Sequence, residues 1–312
     1  MNHPATALLD EADACHDDDP ARAADLLRRI DPAALPAERR TGLAFLLNHV
    51  IGEKLGGWHE AHAMFDRLLR AAGDQPPPAL WRQAAAAARL AGDAVAAQRL
   101  SDALAAAAGA SAAQAQDVVA LTAAMYSAPG LPSAQAADEA GVALRALEAE
   151  AWQAAGPLDG AAAACANNIA SGLLERPAAD LHGAPLRDVL ERAARLGERF
   201  WLRAGTWVNH ERAAYLRAMV ANALGDASQA RAHALRALAI VDENDTDRTE
   251  QVDRAFIELE RARACRDLAL PDEARTAQDT ADALAAKFND AGLDAWFAKR
   301  RSELGTPTGR VA

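Results

Sequence analysis

Residues 56–69 read GGWHEAHAMFDRLL, and residues 92–104 read GDAVAAQRLSDAL. Aligned on their leading glycines, the two share small or apolar residues five, nine and twelve positions on: Ala61, Phe65 and Leu68 in the first, Ala97, Ser101 and Leu104 in the second. The offsets recur in GDASQARAHALRAL (225–238), where Gly225 leads to Ala230, Ala234 and Ala237. In LPDEARTAQDTADAL (270–284), Ala274, Gln278 and Ala281 keep the spacing, but Ala269 stands in the glycine's place. Steps of three and four put side chains on one face of a helix. Each stretch therefore predicts a helix that begins just after a turn.

The segments before these turns agree as well. Nine positions before the key alanine stand Gly52, Ala88, Ala221 and Cys265; twelve before it stand Ala85, Ala218 and Ala262, with His49 the exception. Small residues at matched positions let two helices of a hairpin approach closely. The apolar face left open by one hairpin is then covered by the next. Strand-like alternation is absent, and Gly/Pro breaks such as GDQPPP, SAPGLPS and AGPLDG punctuate helical stretches.

On these residues the chain resembles the tetratricopeptide repeat (TPR) family. Trp81 falls where that family carries an early tryptophan in its first helix, with Phe45 as its counterpart one unit earlier. Departures are Asn48, Arg217 and Arg261 where a large apolar residue is usual, and unequal spacing of 36 residues (Ala61 to Ala97) and 44 (Ala230 to Ala274). The resemblance covers 42–108 and 212–287 and implies an all-α, right-handed superhelix of helical hairpins. The expected organisation is N-terminal helices over 1–40, TPR-like repeats over 41–110, divergent hairpins over 111–204, further TPR-like repeats over 205–290, a capping helix over 291–304 and a flexible tail over 305–312. In the capping helix, Leu293, Trp296, Phe297 and Leu304 form the sealing face, with Lys299, Arg300 and Arg301 opposite.

Composition narrows the functional classes. The 312 residues are 51% hydrophobic but only 4% aromatic, and alanine supplies much of the apolar share. That favours many helices in close contact over a thick core of large side chains. The net charge of −11 disfavours nucleic acid and anionic membranes as partners. No basic-apolar leader or long uncharged apolar segment is read, so a cytoplasmic chain is expected. Cys15, Cys165 and Cys265 are too far apart for a disulfide framework and are read as small packed hydrophobes.

Metal and enzyme motifs fail on spacing. His59-Glu60-Ala61-His62 places its second histidine one residue too early for the H-E-x-x-H zinc helix, so both histidines are read as surface neighbours of packing residues Trp58, Ala61 and Phe65. His16-Asp17-Asp18-Asp19-Pro20 is read as a helix start, with Asp19 as cap and Pro20 in the first turn. No phosphate loop or nucleophile elbow is present. No metal, no cofactor and no catalytic residue are expected.

The resemblance implies a concave groove lined by first helices, and the repeat register assigns its side chains. These are Arg82 and Arg89; Arg212, Tyr215 and Asn222; and Phe256, Arg263 and Arg266, with Asn167 and Asn168 in the divergent middle. Arginines suit a carboxylate, and paired amides suit an extended backbone. The expected function is a noncatalytic scaffold for a protein or peptide carrying an acidic segment or C-terminal carboxylate. The alternative is a sensor responding to a signalling peptide or small molecule. RFWLRAGTWVNHERAAY (199–215) is read as core packing between the middle and the C-terminal repeats.

Overall fold

A computed structural model describes residues 4–247 and 249–303. Among these residues there are sixteen α-helices and no strand. They are α1 (Pro4–Cys15), α2 (Pro20–Arg29), α3 (Arg40–Leu46), α4 (Trp58–Ala72), α5 (Pro78–Leu90), α6 (Ala94–Ala108), α7 (Ala112–Ser127) and α8 (Ser133–Ala146), then α9 (Asp159–Leu174), the single turn α10 (Ala178–Leu181), α11 (Ala184–Ala204), α12 (Trp207–Ala223), α13 (Ala227–Asn244), α14 (Gln251–Asp267), α15 (Pro271–Ala285) and α16 (Ala291–Glu303). Helix α3 continues as a wider π-helical stretch over Leu47–Lys54. No helix among the described residues is long and apolar enough to cross a membrane. Leu304 and the expected tail over 305–312 lie outside the described residues.

The chain forms two compact units. One takes in Met1–Leu131 with Glu139–Ala162, the other Pro132–Asp138 with Ala163–Ala312. Within each unit, helices pack in consecutive pairs: α1 with α2 and α5 with α6 in the first, α12 with α13 and α14 with α15 in the second. First helices of successive pairs also touch, α5 with α7 and α12 with α14.

The recurrent turn has a definite structure. Gly92 and Gly225 both adopt φ +79°, a left-handed conformation that costs glycine nothing. The next residue's N–H then donates back to the helix just ended, Asp93 to the Ala88 carbonyl at 2.9 Å and Asp226 to the Ala221 carbonyl at 2.8 Å. The same aspartates cap the next helix, accepting from the Ala96 and Gln229 amides at 2.9 and 3.1 Å. In the last hairpin Leu270 donates to the Cys265 carbonyl at 2.9 Å. There Ala269, at φ 57°, is the one described non-glycine residue with positive φ.

The small residues sit at crossings. Ala61, Ala85, Ala88, Ala218 and Ala230 are inaccessible to solvent, and Ala97, Ala262 and Cys265 are buried. Ala274 is half-buried, and Ala277 and Ala281 carry that contact. A Cβ on Gly52 would lie 2.3 Å from the Trp58 ring, so glycine there makes room for the tryptophan. Phe65 is buried, His59 is exposed and His62 is half-buried.

Two buried amides tie successive first helices together. Asn48 Nδ2 donates to both the backbone and side-chain oxygens of Gln83, at 2.9 and 2.7 Å. Asn222 Nδ2 does the same to Glu260, again at 2.9 and 2.7 Å. Gln83 and Glu260 stand at the same register, fourteen residues before Ala97 and Ala274. Asn48 and Arg261, which depart from the family's apolar pattern, are thus a buried inter-helix donor and an ion-pair partner of Glu258 at 2.9 Å. Arg217 lies beside Glu198.

Of the four aromatic residues in the stretch 199–215, only Phe200 is fully buried, with the Arg199 and Arg203 guanidiniums 4.4 and 5.4 Å from its ring centroid. Trp201, Trp207 and Tyr215 are half-buried. In α16, Phe297 packs against Phe256 and Phe288. Two residues of that helix differ from expectation. Trp296 is 40% exposed, not part of the sealing face, and Arg300 turns inward to Glu260 at 2.5 Å instead of facing water. A buried carboxylate on α14 needs a counter-charge more than the surface needs another arginine.

Candidate functional site

The expected groove residues divide between the units. Arg82 and Arg89 belong to the first, and the other eight to the second. In the first unit Arg82 donates from Nη1 to Thr122 Oγ1 at 3.0 Å, joining α5 to α7. Arg89 is exposed and borders a shallow cleft with Gln98, Ser101 and Gln116.

In the second unit most of these side chains already have partners. Asn167 packs on the crossing of α9 with α11, where a Cβ on Gly197 would stand 2.8 Å from Asn167 Oδ1. Asn168, next to it, is exposed. Arg212 pairs with Asp253 at 2.7 Å and Glu250 at 3.4 Å. Next to it Glu211 is wholly buried, and burial together with the nearby Asp253 carboxylate pushes its carboxyl up to about 9. Tyr215 packs its ring against two hydrophobic clusters, one of α12, α13 and α14 and one of Phe256 and Phe297. Burial and the neighbouring Glu260 raise its phenol above the ordinary range, so the hydroxyl stays protonated. Asn222 is 1% exposed and spent on Glu260. Arg266 binds its neighbour Asp267 at 3.1 Å.

Arg263 is different. Among the described residues it has no ion pair, and its Nε is buried without a hydrogen-bond partner. Its natural i+4 partner Asp267 is held by Arg266, and Glu260 by Arg300. Arg263 borders a cleft of about 420 Å³ lined from α9, α10, α12, α14 and α16. Leu174, Leu181, Met219 and Ala223 supply apolar walls. Arg176, Lys299 and Arg300 add further positive charge, with Glu175 and Glu303 the carboxylates present. Arg300 satisfies Glu303 at 2.8 Å as well as Glu260. Among the described residues Lys299 reaches no carboxylate, and its Nζ lies 5.1 Å from the centre of the exposed Trp296 ring.

A second cleft of the same unit, about 370 Å³, lies over α11, α12 and α13. It mixes Arg192, Arg195 and Arg217 with Asp188, Glu191 and Asp226. His233 there is held below its usual pKa by burial and by Arg217. Its charges are balanced by its own acids, whereas the α9–α16 cleft keeps an excess of cations.

Chemically, two cations without carboxylate partners, an apolar floor and an exposed indole suit an anionic group attached to an aliphatic chain. Sequence periodicity identified Arg263. Arg176, Lys299 and Trp296 were missed, although the i, i+3 spacing of Trp296 and Lys299 is a signal for a cation over a ring. No protein-family model matches this chain, and no curated protein matches it either.

Proposed function

We propose that the chain is a noncatalytic scaffold of TPR-like hairpins that holds the carboxylate-bearing end of an acidic peptide in the α9–α16 cleft. The repeated glycine–aspartate turn and the buried small residues at helix crossings support the TPR-like part of this reading. One observation carries the binding part: Arg263 and Lys299 border a cleft of about 420 Å³, and among the described residues neither is paired with a carboxylate. Arg263 Nε is buried without a partner, a costly state that an incoming carboxylate relieves, and the exposed Lys299 adds a second positive charge. Leu174, Leu181 and Met219 would receive the last aliphatic side chain of the peptide.

The test uses labelled hexapeptides with two acidic residues and a C-terminal leucine, followed by fluorescence anisotropy. The free-acid peptide is expected to bind, with affinity falling at least tenfold on C-terminal amidation or on Arg263→Ala, and several-fold on Lys299→Ala. Equal binding of acid and amide forms, or no effect of Arg263→Ala, overturns the proposal.

A further inference from the structure

In the first unit, two segments 32 residues apart in sequence bring His16, Asp17 and His49 together. His16 and Asp17 follow directly on the end of α1, and His49 lies on the π-helical continuation of α3. One ligand atom from each of the three lies within 4.8 Å of the others. We propose that they form a zinc(II) site.

The arrangement around the three is that of a metal site's supporting shell. His16 Nδ1 lies 2.5 Å from the Asp13 carbonyl, and His49 Nδ1 lies 2.6 Å from Glu53 Oε2. Both partners accept hydrogen bonds, so each Nδ1 carries the proton and each Nε2 keeps the lone pair that coordinates a metal. A carboxylate behind a ligating imidazole also fixes its orientation and raises its basicity. Asp17 is held on its other side: Lys54 Nζ donates to Oδ1 at 2.7 Å, leaving Oδ2 3.5 Å from His16 Nε2. Two lone pairs at this separation suit a cation between them. Ligands about 2.0–2.1 Å from a tetrahedral zinc stand roughly 3.3 Å apart, close to this separation.

Ring contacts hold the imidazoles in place. His49 stacks on Phe45 at 5.3 Å between centroids, and the two histidine rings meet edge to face at 5.2 Å. The π-helical stretch widens the helix where His49 and Glu53 are placed; such widening often accompanies functional sites. Asp17 is 74% exposed on its side chain, so an ion has a path from solvent. Two nitrogens and one carboxylate oxygen favour zinc over magnesium or calcium, which require mostly oxygen ligands. Three protein ligands leave a fourth position for water or a further ligand.

The test is calorimetric titration of the tag-free full-length protein with zinc chloride in a non-coordinating buffer, with magnesium chloride as control. One zinc per chain and no magnesium binding are expected. His16→Gln and His49→Gln should each weaken zinc at least 100-fold, and Asp17→Asn at least tenfold; Asp17 is exposed, so that variant stays folded. Glu53→Gln, acting through His49, should weaken zinc 10- to 100-fold while leaving the metal-free melting temperature unchanged. The pair His59→Gln with His62→Gln should bind zinc as the wild type does. Failure of the wild type to bind zinc overturns the proposal, as does zinc binding that survives Asp17→Asn with His16→Gln or is lost with His59 and His62.

Discussion

Glu211 shows how one buried group sets a pH dependence. Its carboxyl stays protonated in the folded chain up to about pH 9 but ionises near 4.5 once unfolded. Between those values the folded state binds the extra proton, so the contribution of Glu211 to stability is greatest below pH 4.5 and falls as pH rises towards 9. Glu211→Gln keeps the neutral shape and removes this dependence. The variant should be about 1–3 kcal/mol more stable than wild type at pH 8 and no more stable at pH 4, as read from urea melts at both pH values. At this scale the sequence was only partly legible. Arginines and asparagines at groove register were visible, but which of them stay unpaired was not. Arg212 and Arg263 occupy comparable places in the pattern, and only the surrounding acids separate them: Asp253 and Glu250 hold the first, while Arg266 and Arg300 take the acids nearest the second.

At the scale of the element, the turn between paired helices was the most legible feature. Gly92 and Gly225 were picked out by offset alone, and both adopt the left-handed conformation that ends one helix and leads to an aspartate cap on the next. Ala269 was seen as the exception and keeps the same turn at a conformational cost. Ala269→Gly should therefore raise stability by about 0.5–1 kcal/mol, and Gly225→Ala should lower it by about 1 kcal/mol, both measured by thermal melts followed by circular dichroism. A loss of stability in Ala269→Gly would show that the strain is relieved elsewhere. Less legible was the π-helical stretch 47–54, which holds the Gly52 on which the Trp58 ring packs and which no local residue pattern announced.

For the whole molecule, packing between consecutive helices in two compact units implies that distant substitutions act independently. Asn48 and Asn222 perform the same task in different units, each donating twice to the next first helix. Asn48→Ala and Asn222→Ala should each cost about 1–3 kcal/mol, and the double variant should equal their sum within about 0.5 kcal/mol. Native-state hydrogen exchange should place the faster exchange of each single variant in its own unit. The all-helical class, the hairpin turns and the small residues at helix crossings were determined by the sequence alone, since each rests on residues a few positions apart, within reach of helical geometry. The cationic cleft and the His16–Asp17–His49 cluster were decided only by the tertiary structure. Both depend on which charges and lone pairs from far along the chain come within a few ångströms of one another, and spacing in the sequence does not encode that distance.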